Sequence, residues 1–291
     1  MMDVLRPFDP WKSPLCTCPP KYSLHPYTGC THYCLYCYAT SYVGRKPSRP
    51  KRDFLKRLRR DLARADPSIP VDMSTSSDPY PPEEMVLGLT RAALEVLRSR
   101  GYRVLLTTKG VGFVRDQGLF GALMITITTL DGQLASKLEP FAPSPSSRLD
   151  ALASVEVRRG ARVDPIIPGL TDDPADLKEL LREIRDSGAE HVVFSTYKAK
   201  PDNFKRMALS FPDLAGSWRH LYYDRGVRIG GYRYLPTRER YRLLKDLVEE
   251  AIKLGLTASV CREGFKDLLK APSCDGTHLL PPPVEHLPDV T

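Results

Sequence analysis

A chain of 291 residues, 42% hydrophobic and 27% charged, can bury a sizeable core and is not a disordered polymer. No apolar run reaches the ~18 residues of a membrane span, and the opening MMDVLRPFDPWKSP lacks a secretory pattern, so a cytoplasmic protein is expected, with no membrane partner. The net charge of +8 suits an anionic partner such as nucleic acid without requiring one.

One asparagine (Asn203) and two glutamines (Gln117, Gln133) stand against 27 prolines. That bias suggests a heat-adapted, thermophile source, with genome base composition as the plain alternative. In chain order, residues 1–21 form a Pro-rich segment carrying Cys16 and Cys18. KYSLHPY reads as a short first strand running into a loop with three cysteines. RDFLKRLRRDLARA reads as a helix with Phe54, Leu55, Leu58 and Leu62 on one face. IPVDMSTSS is a strand, and EEMVLGLTRAALEVLRSRG a helix ended by Gly101. YRVLLTTKG and ALMITITTL are strands, DALASVEVRRG a helix and ARVDPIIPG a strand. DPADLKELLREIRDSG is a helix closed by Gly188, and AEHVVFSTY the sixth strand.

Strands and helices alternating in this way predict a parallel sheet with helices outside: α/β, a partial (β/α)6 TIM-type barrel over residues 22–199. The strands are continuously apolar, as in a sheet covered on both faces. Ser74, Thr75, Ser76, Thr107, Thr108, Lys109, Thr126, Thr128, Ser195 and Thr196 collect at strand ends, the rim where such barrels carry their sites. Residues 200–291 form a C-terminal extension. It holds the aromatic and basic stretch WRHLYYDRGVRIGGYRYLP, expected over the barrel mouth, and the helix TRERYRLLKDLVEEAIKLG with Thr237 as its expected cap.

The seven cysteines are Cys16, Cys18, Cys30, Cys34, Cys37, Cys261 and Cys274. Crowding at the two ends of a long chain favours metal or redox chemistry over a disulfide scaffold; a Cys261–Cys274 staple stays open. Cys30, Cys34 and Cys37 are spaced C-x3-C-x2-C. Zinc usually takes four ligands, and His32, lodged between the cysteines, is an awkward fourth. Three thiolates on a four-iron cube leave one iron open, which marks a reactive site.

This motif, with Tyr36 before its last cysteine, resembles the radical S-adenosylmethionine (SAM) superfamily. Within it the chain looks most like the spore photoproduct lyase-like, or DNA repair photolyase-like, proteins. That likeness is carried by PYTGCTHYCLYCYA, STSSDPYPPEE, LLTTKG, ITITTLD and DPIIPGLTD, from about Tyr22 to Thr196. It implies that Cys30, Cys34 and Cys37 hold a [4Fe–4S] cluster whose open iron chelates SAM. One electron, from a donor such as a ferredoxin or flavodoxin, then splits SAM to a 5′-deoxyadenosyl radical that takes hydrogen from the substrate. By the same likeness Tyr36 packs near adenine and Ser76 meets the SAM amino group. Lys109 pairs with the carboxylate, Thr126 or Thr128 reaches the ribose, and Arg148 assists at the carboxylate. The sequence departs from the lyase at Ser74-Thr75-Ser76, where the lyase keeps a hydrogen-donating cysteine. That departure points to a different substrate.

Cys16, Cys18, Cys261 and Cys274 remain, a full ligand set for a second [4Fe–4S] cluster or for zinc; His278 is a substitute ligand, and unrelated thiols or a disulfide are the plain alternatives. Lys51, Arg52, Lys56, Arg57, Arg59, Arg60 and Arg64, with Arg219, Arg225, Arg228, Arg233 and Tyr222, Tyr223, Tyr232 and Tyr234, form a candidate phosphate-binding and base-stacking surface. Their ordinary alternative is a solvated helix and internal packing. The expected function is therefore a radical SAM enzyme, with nucleic acid the preferred substrate. A peptide or small-molecule substrate is the first rival. A zinc-holding nucleic-acid-binding protein without SAM chemistry is the second.

Overall fold

The computed structural model describes residues 2–8, 13, 15–74 and 76–283. Its strands are β1 (Leu5–Pro7), β2 (Tyr22–Leu24), β3 (Tyr27–Thr28), β4 (Arg49–Pro50), β5 (Val71–Met73), β6 (Val104–Thr108), β7 (Ala122–Thr126), β8 (Arg158–Ile166), β9 (His191–Thr196), β10 (Val227–Ile229), β11 (Tyr232–Tyr234) and β12 (Thr257–Val260). The helices are α1 (Thr40–Val43), α2 (Phe54–Leu62), α3 (Glu84–Leu87), α4 (Leu89–Arg98), α5 (Gly132–Leu138), α6 (Pro145–Ala153), α7 (Pro174–Asp186), α8 (Pro201–Ser210), α9 (Pro212–Arg219) and α10 (Thr237–Lys253).

The central sheet has eight strands in the order β1-β2-β5-β6-β7-β8-β9-β12. Every neighbouring pair from β2 onward is parallel, and only β1 runs antiparallel to its neighbour. Helices cover the outer face, and β1 and β12 leave the barrel open between them. This is the partial α/β barrel expected, with two strands more: the expected six are present, and β1 and β12 add an edge on each side. Neither was legible. β1 is three residues beside prolines, and LTASV is too short to separate from a helix by periodicity.

Each parallel strand is an apolar run because both of its faces are covered. All residues of β7 and β9 are buried. One face carries Leu106, Ile125 and Phe194 into the main core beneath the helices. The other carries Leu105, Met124 and Val193, on which Leu279 and Leu280 pack from the C-terminal segment. That plug fills the lower barrel and leaves space only at the strands' carboxyl ends.

Several local expectations need correction. The helix read over EEMVLGLTRAALEVLRSRG is two helices, α3 and α4, broken where Gly88 turns left-handed at φ +58°. The helix read through DALASVEVRRG starts earlier, capped by Ser144, and stops at Ala153. Arg158–Gly160 belong to β8, paired with β7. α10 begins at Thr237, but Pro236 holds the cap position and no side chain caps it. α5, capped by Asp131, was not foreseen.

The edge strand β1 is fixed by one buried carboxylate on α2. Oδ2 of Asp61 accepts the amides of Asp3 (2.7 Å), Val4 (2.7 Å) and Leu5 (3.1 Å). A charged acceptor serving buried donors contributes more than a neutral bond, and its loss strands all three amides. Asp61→Ala is expected to lower stability by about 2–3 kcal/mol. The measurement is urea denaturation, as a lower midpoint at unchanged slope.

Candidate functional site

The three cysteines sit on the loop between the β3–β4 hairpin strands, above the carboxyl end of β2. The loop enters through Gly29 at φ +79°, where a Cβ would stand 2.4 Å from the Pro47 carbonyl oxygen, so only glycine fits. Thr31 and Ser48 lock its base reciprocally: Thr31 N donates to Ser48 Oγ (3.1 Å) and Ser48 N to Thr31 Oγ1 (2.9 Å).

Having little ladder of its own, the loop is held by side chains from α8. Asn203 Nδ2 donates to Tyr36 O (2.9 Å) and Lys198 O (3.1 Å); its Oδ1 accepts from Lys200 N (2.7 Å) and Tyr197 OH (2.9 Å). One turn on, Arg206 donates to Leu35 O (3.1 Å) and Cys37 O (2.9 Å). The sole asparagine of the chain is thus a fully bonded bracket. Its rarity was visible in the sequence, but its role was not.

Asp78 braces the other side of the loop. It accepts from Thr108 Oγ1 (2.7 Å) and Lys109 N (2.7 Å), and it faces His32 Nε2 at 3.3 Å, an ion-pair contact. His32 Nδ1 lies 3.1 Å from Phe141 O. Burial opposes both charges, yet the pairing raises the His32 pKa and holds the Asp78 carboxyl well below its usual range. Held between Phe141 O and the Asp78 carboxylate, His32 braces the loop.

Tyr36 is buried, and its hydroxyl donates to Glu139. Glu139 also takes Arg148 in a buried ion pair and Thr128 Oγ1 at 3.2 Å. Arg148 spends its remaining donors on Thr126 O and Pro143 O, both at 2.9 Å. Thr126 is among the cavity-lining residues, whereas Arg148 and Thr128 are not. They position Tyr36 instead.

Lys109 does face the cavity. Its Nζ makes no hydrogen bond or ion pair among the described residues and stands 5.6 Å from the Tyr36 ring centroid. Burial disfavours its charge, but Glu139 and Cys34 outweigh burial and leave the pKa raised.

The cavity measures about 440 Å³ and is lined by all three loop cysteines, Tyr36, Ser76, Lys109 and Thr126. Thr75 lies outside the described residues. Burial, then Asp78 and Cys34, push the Cys30 thiol up; burial pushes Cys34 up to about 12 despite Lys109. Buried thiols crowded in this way become good ligands once a metal cation compensates their charge. Among the described residues no group of three or more His, Cys, Asp or Glu surrounds a single ion; a multi-iron cluster spreads its thiolates more widely than one ion does.

The far wall was not foreseen. It carries Arg162 paired with Asp164 (2.8 Å), Lys198 paired with Glu263 (3.2 Å), Tyr38 and Arg262. Cys261 lies there too. Of the expected second ligand set, Cys18 Sγ lies 3.4 Å from Cys274 Sγ, and Cys16, Cys18 and Cys261 line the same cavity. His278 Nδ1 lies 2.8 Å from Ser273 Oγ, turned to a hydroxyl rather than to the thiols.

The aromatic stretch is not part of the lining. Trp218, Tyr222, Tyr232 and Tyr234 are buried, and Tyr222 packs edge-on against Tyr197 at 5.3 Å. Tyr232 supports Tyr38 from behind at 5.5 Å. These rings are core, not a base-stacking platform. On α2, Arg57 and Arg60 pair with Asp3, while Lys56 and Arg59 are solvated.

No protein-family model matches the chain. An uncharacterized protein of Mycobacterium tuberculosis is 27% identical over 265 residues, covering 78% of this chain and 76% of that one. An uncharacterized protein of Methanocaldococcus jannaschii is 30% identical over 187 residues, covering 57% and 67%. Among solved structures, a spore photoproduct lyase mutant with bound AdoMet and dinucleoside spore photoproduct superposes with a TM-score of 0.60 at 18% identity, over 82% of this chain and 75% of that one. Streptococcus suis SuiB bound to S-adenosylmethionine gives 0.52 at 11%, over 83% and 51%. The chain shares the fold of these radical SAM enzymes.

Glu139→Gln leaves Arg148 buried without a counter-charge and is expected to cost about 3–5 kcal/mol. Burial favours the protonated acid, but Arg148 and Lys109 lower the Glu139 pKa. The stability it confers is therefore present above the ordinary carboxyl range and is lost as pH falls through the lowered value. Thermal unfolding against pH is expected to show that acid-side slope reduced in the variant.

Proposed function

We propose that this chain, which belongs to one family with the Methanocaldococcus jannaschii protein, is a radical SAM enzyme. The observation that carries the reading is a single cavity faced by three thiols of one loop and by the Lys109 ammonium, unpaired among the described residues. Cys30, Cys34 and Cys37 would hold a [4Fe–4S] cluster. When bound, that cluster and SAM supply reductive cleavage of the sulfonium and abstraction of a substrate hydrogen.

The chain's own residues bind and orient. Lys109 offers a charged donor to a carboxylate, fixed where Asp78 holds its backbone amide. Ser76 and Thr126 offer hydroxyls for the amino group and the ribose. Tyr36, locked by Glu139, presents a fixed ring.

For the substrate, nucleic acid remains the preferred class. Its supports are the net charge of +8, Arg6 and Arg262 at the cavity, and the likeness to a lyase structure holding a dinucleoside. A peptide or small molecule is the second reading, favoured by a cavity of about 440 Å³ and by the burial of the aromatic stretch. The two part on whether binding to a DNA or RNA oligonucleotide falls steeply with salt.

Iron, sulfide and zinc are to be counted on protein purified without oxygen, beside a Cys30/Cys34/Cys37→Ala variant. About four irons lost in the variant supports the reading. About four more remaining would point to a second cluster on Cys16, Cys18, Cys261 and Cys274. Zinc without iron in the parent would sink the enzyme reading in favour of a zinc-holding binding protein. Lys109→Met is expected to retain iron and to weaken SAM binding about 10- to 100-fold by calorimetry, the worth of one charge-assisted bond.

A further inference from the structure

We propose that an apolar groove beside the cysteine loop is the docking face for an acidic protein that delivers single electrons. This rests on the reductive chemistry proposed above. Of the eight exposed large apolar side chains among the described residues, three line it, Met85, Val114 and Phe141, and Val86 and Leu87 follow Met85 on α3. Met85 is 61% exposed and Phe141 60%. Soluble proteins rarely leave so much apolar surface in one place without a partner for it.

The groove, of about 700 Å³, runs between α3, the turn after β6 and the Phe141 segment. Its floor includes His32, which sits between Cys30 and Cys34 and is held by Phe141 O. A partner seated there would lie one side chain from the thiols.

The rim fixes the partner's charge. Arg45 lies over the Tyr33 ring at 5.1 Å, and Tyr33 meets Phe141 edge-on at 5.8 Å. Lys46 is exposed next to Arg45, while Arg115 donates to Met85 O at 3.4 Å and is paired with Glu84 (3.4 Å) and Asp116 (3.8 Å), so Arg45 and Lys46 carry the charge of the rim. The acids nearby are turned inward: Glu83 takes Thr31 Oγ1 (2.8 Å), and Glu84 is buried on Tyr27 and Thr90 N. An apolar centre with a basic rim selects an acidic surface. A second copy of this chain, itself at +8, is repelled by that rim. In the transfer one electron leaves the donor's flavin or iron–sulfur centre, which is oxidised, and enters the centre held by the three thiols, which is reduced.

The probe is a flavodoxin, with dithionite as a small reductant that needs no docking face. A Met85→Glu/Phe141→Glu double variant and Arg45→Glu alter only exposed side chains. Calorimetry on the purified protein is expected to show the double variant binding flavodoxin at least tenfold more weakly. Arg45→Glu is expected to flatten the salt dependence of binding. Dithionite is expected to bleach parent and variants alike, while flavodoxin hydroquinone bleaches the variants more slowly. Unchanged flavodoxin affinity in both variants overturns the proposal. So does a parent that sediments as a dimer and becomes monomeric with Phe141→Glu, since the groove would then join two copies. A parent that dithionite does not bleach defeats the cluster reading instead, and the calorimetric result still judges the docking face by itself.

Discussion

The structure depends on holding a loop that has almost no hydrogen-bond ladder of its own. Buried backbone groups must find partners, and between Leu35 and Cys37 those partners come from elsewhere. Arg206 takes the carbonyls of Leu35 and Cys37, Asn203 takes that of Tyr36, and Leu138 O accepts the amide of Leu35. The loop's shape is therefore set by α8 and the end of α5, which lie more than a hundred residues along the chain. Three thiols can be kept facing one point only while those distant elements stay in place.

Buried charge does the rest of the positioning. Glu139 with Arg148 fixes Tyr36, and Asp78 with His32 and the Lys109 amide fixes the loop's other edge. Such pairs gain little net stability against apolar packing, because desolvation offsets much of their attraction. They do impose one geometry, since any displaced partner leaves a charge uncompensated in a dry interior. The Lys109 ammonium faces the cavity and makes no ion pair among the described residues.

The cavity is closed by elements outside the repeated strand–helix pattern. Leu279 and Leu280 fill the lower barrel, and the N-terminal thiols Cys16 and Cys18 meet Cys274 beside Lys21, which is bound to Asp72 and Asp275. β12 brings Cys261 and Arg262 to the far wall, where Arg262 stacks on Tyr38 and Tyr232. The two ends of the chain thus complete a site whose framework the middle supplies. The apolar groove lies outside that enclosure, against the loop's solvent side.

The sequence by itself determined the parallel strands and the three-thiol loop, because both are written in local patterns: continuous apolar runs and a fixed cysteine spacing. It also marked Lys109, Ser76 and Thr126 at strand ends. It did not show that the buried carboxylate of Glu139 binds both Arg148 and Thr128, or that Trp218, Tyr222, Tyr232 and Tyr234 of the aromatic stretch are buried. Asp78, Glu139, Asn203 and Arg206 went unnoticed as site residues. Only the tertiary structure decided these, for one reason. Whether a polar side chain serves a ligand or another residue depends on which buried group stands opposite it, and that group is usually far away in sequence.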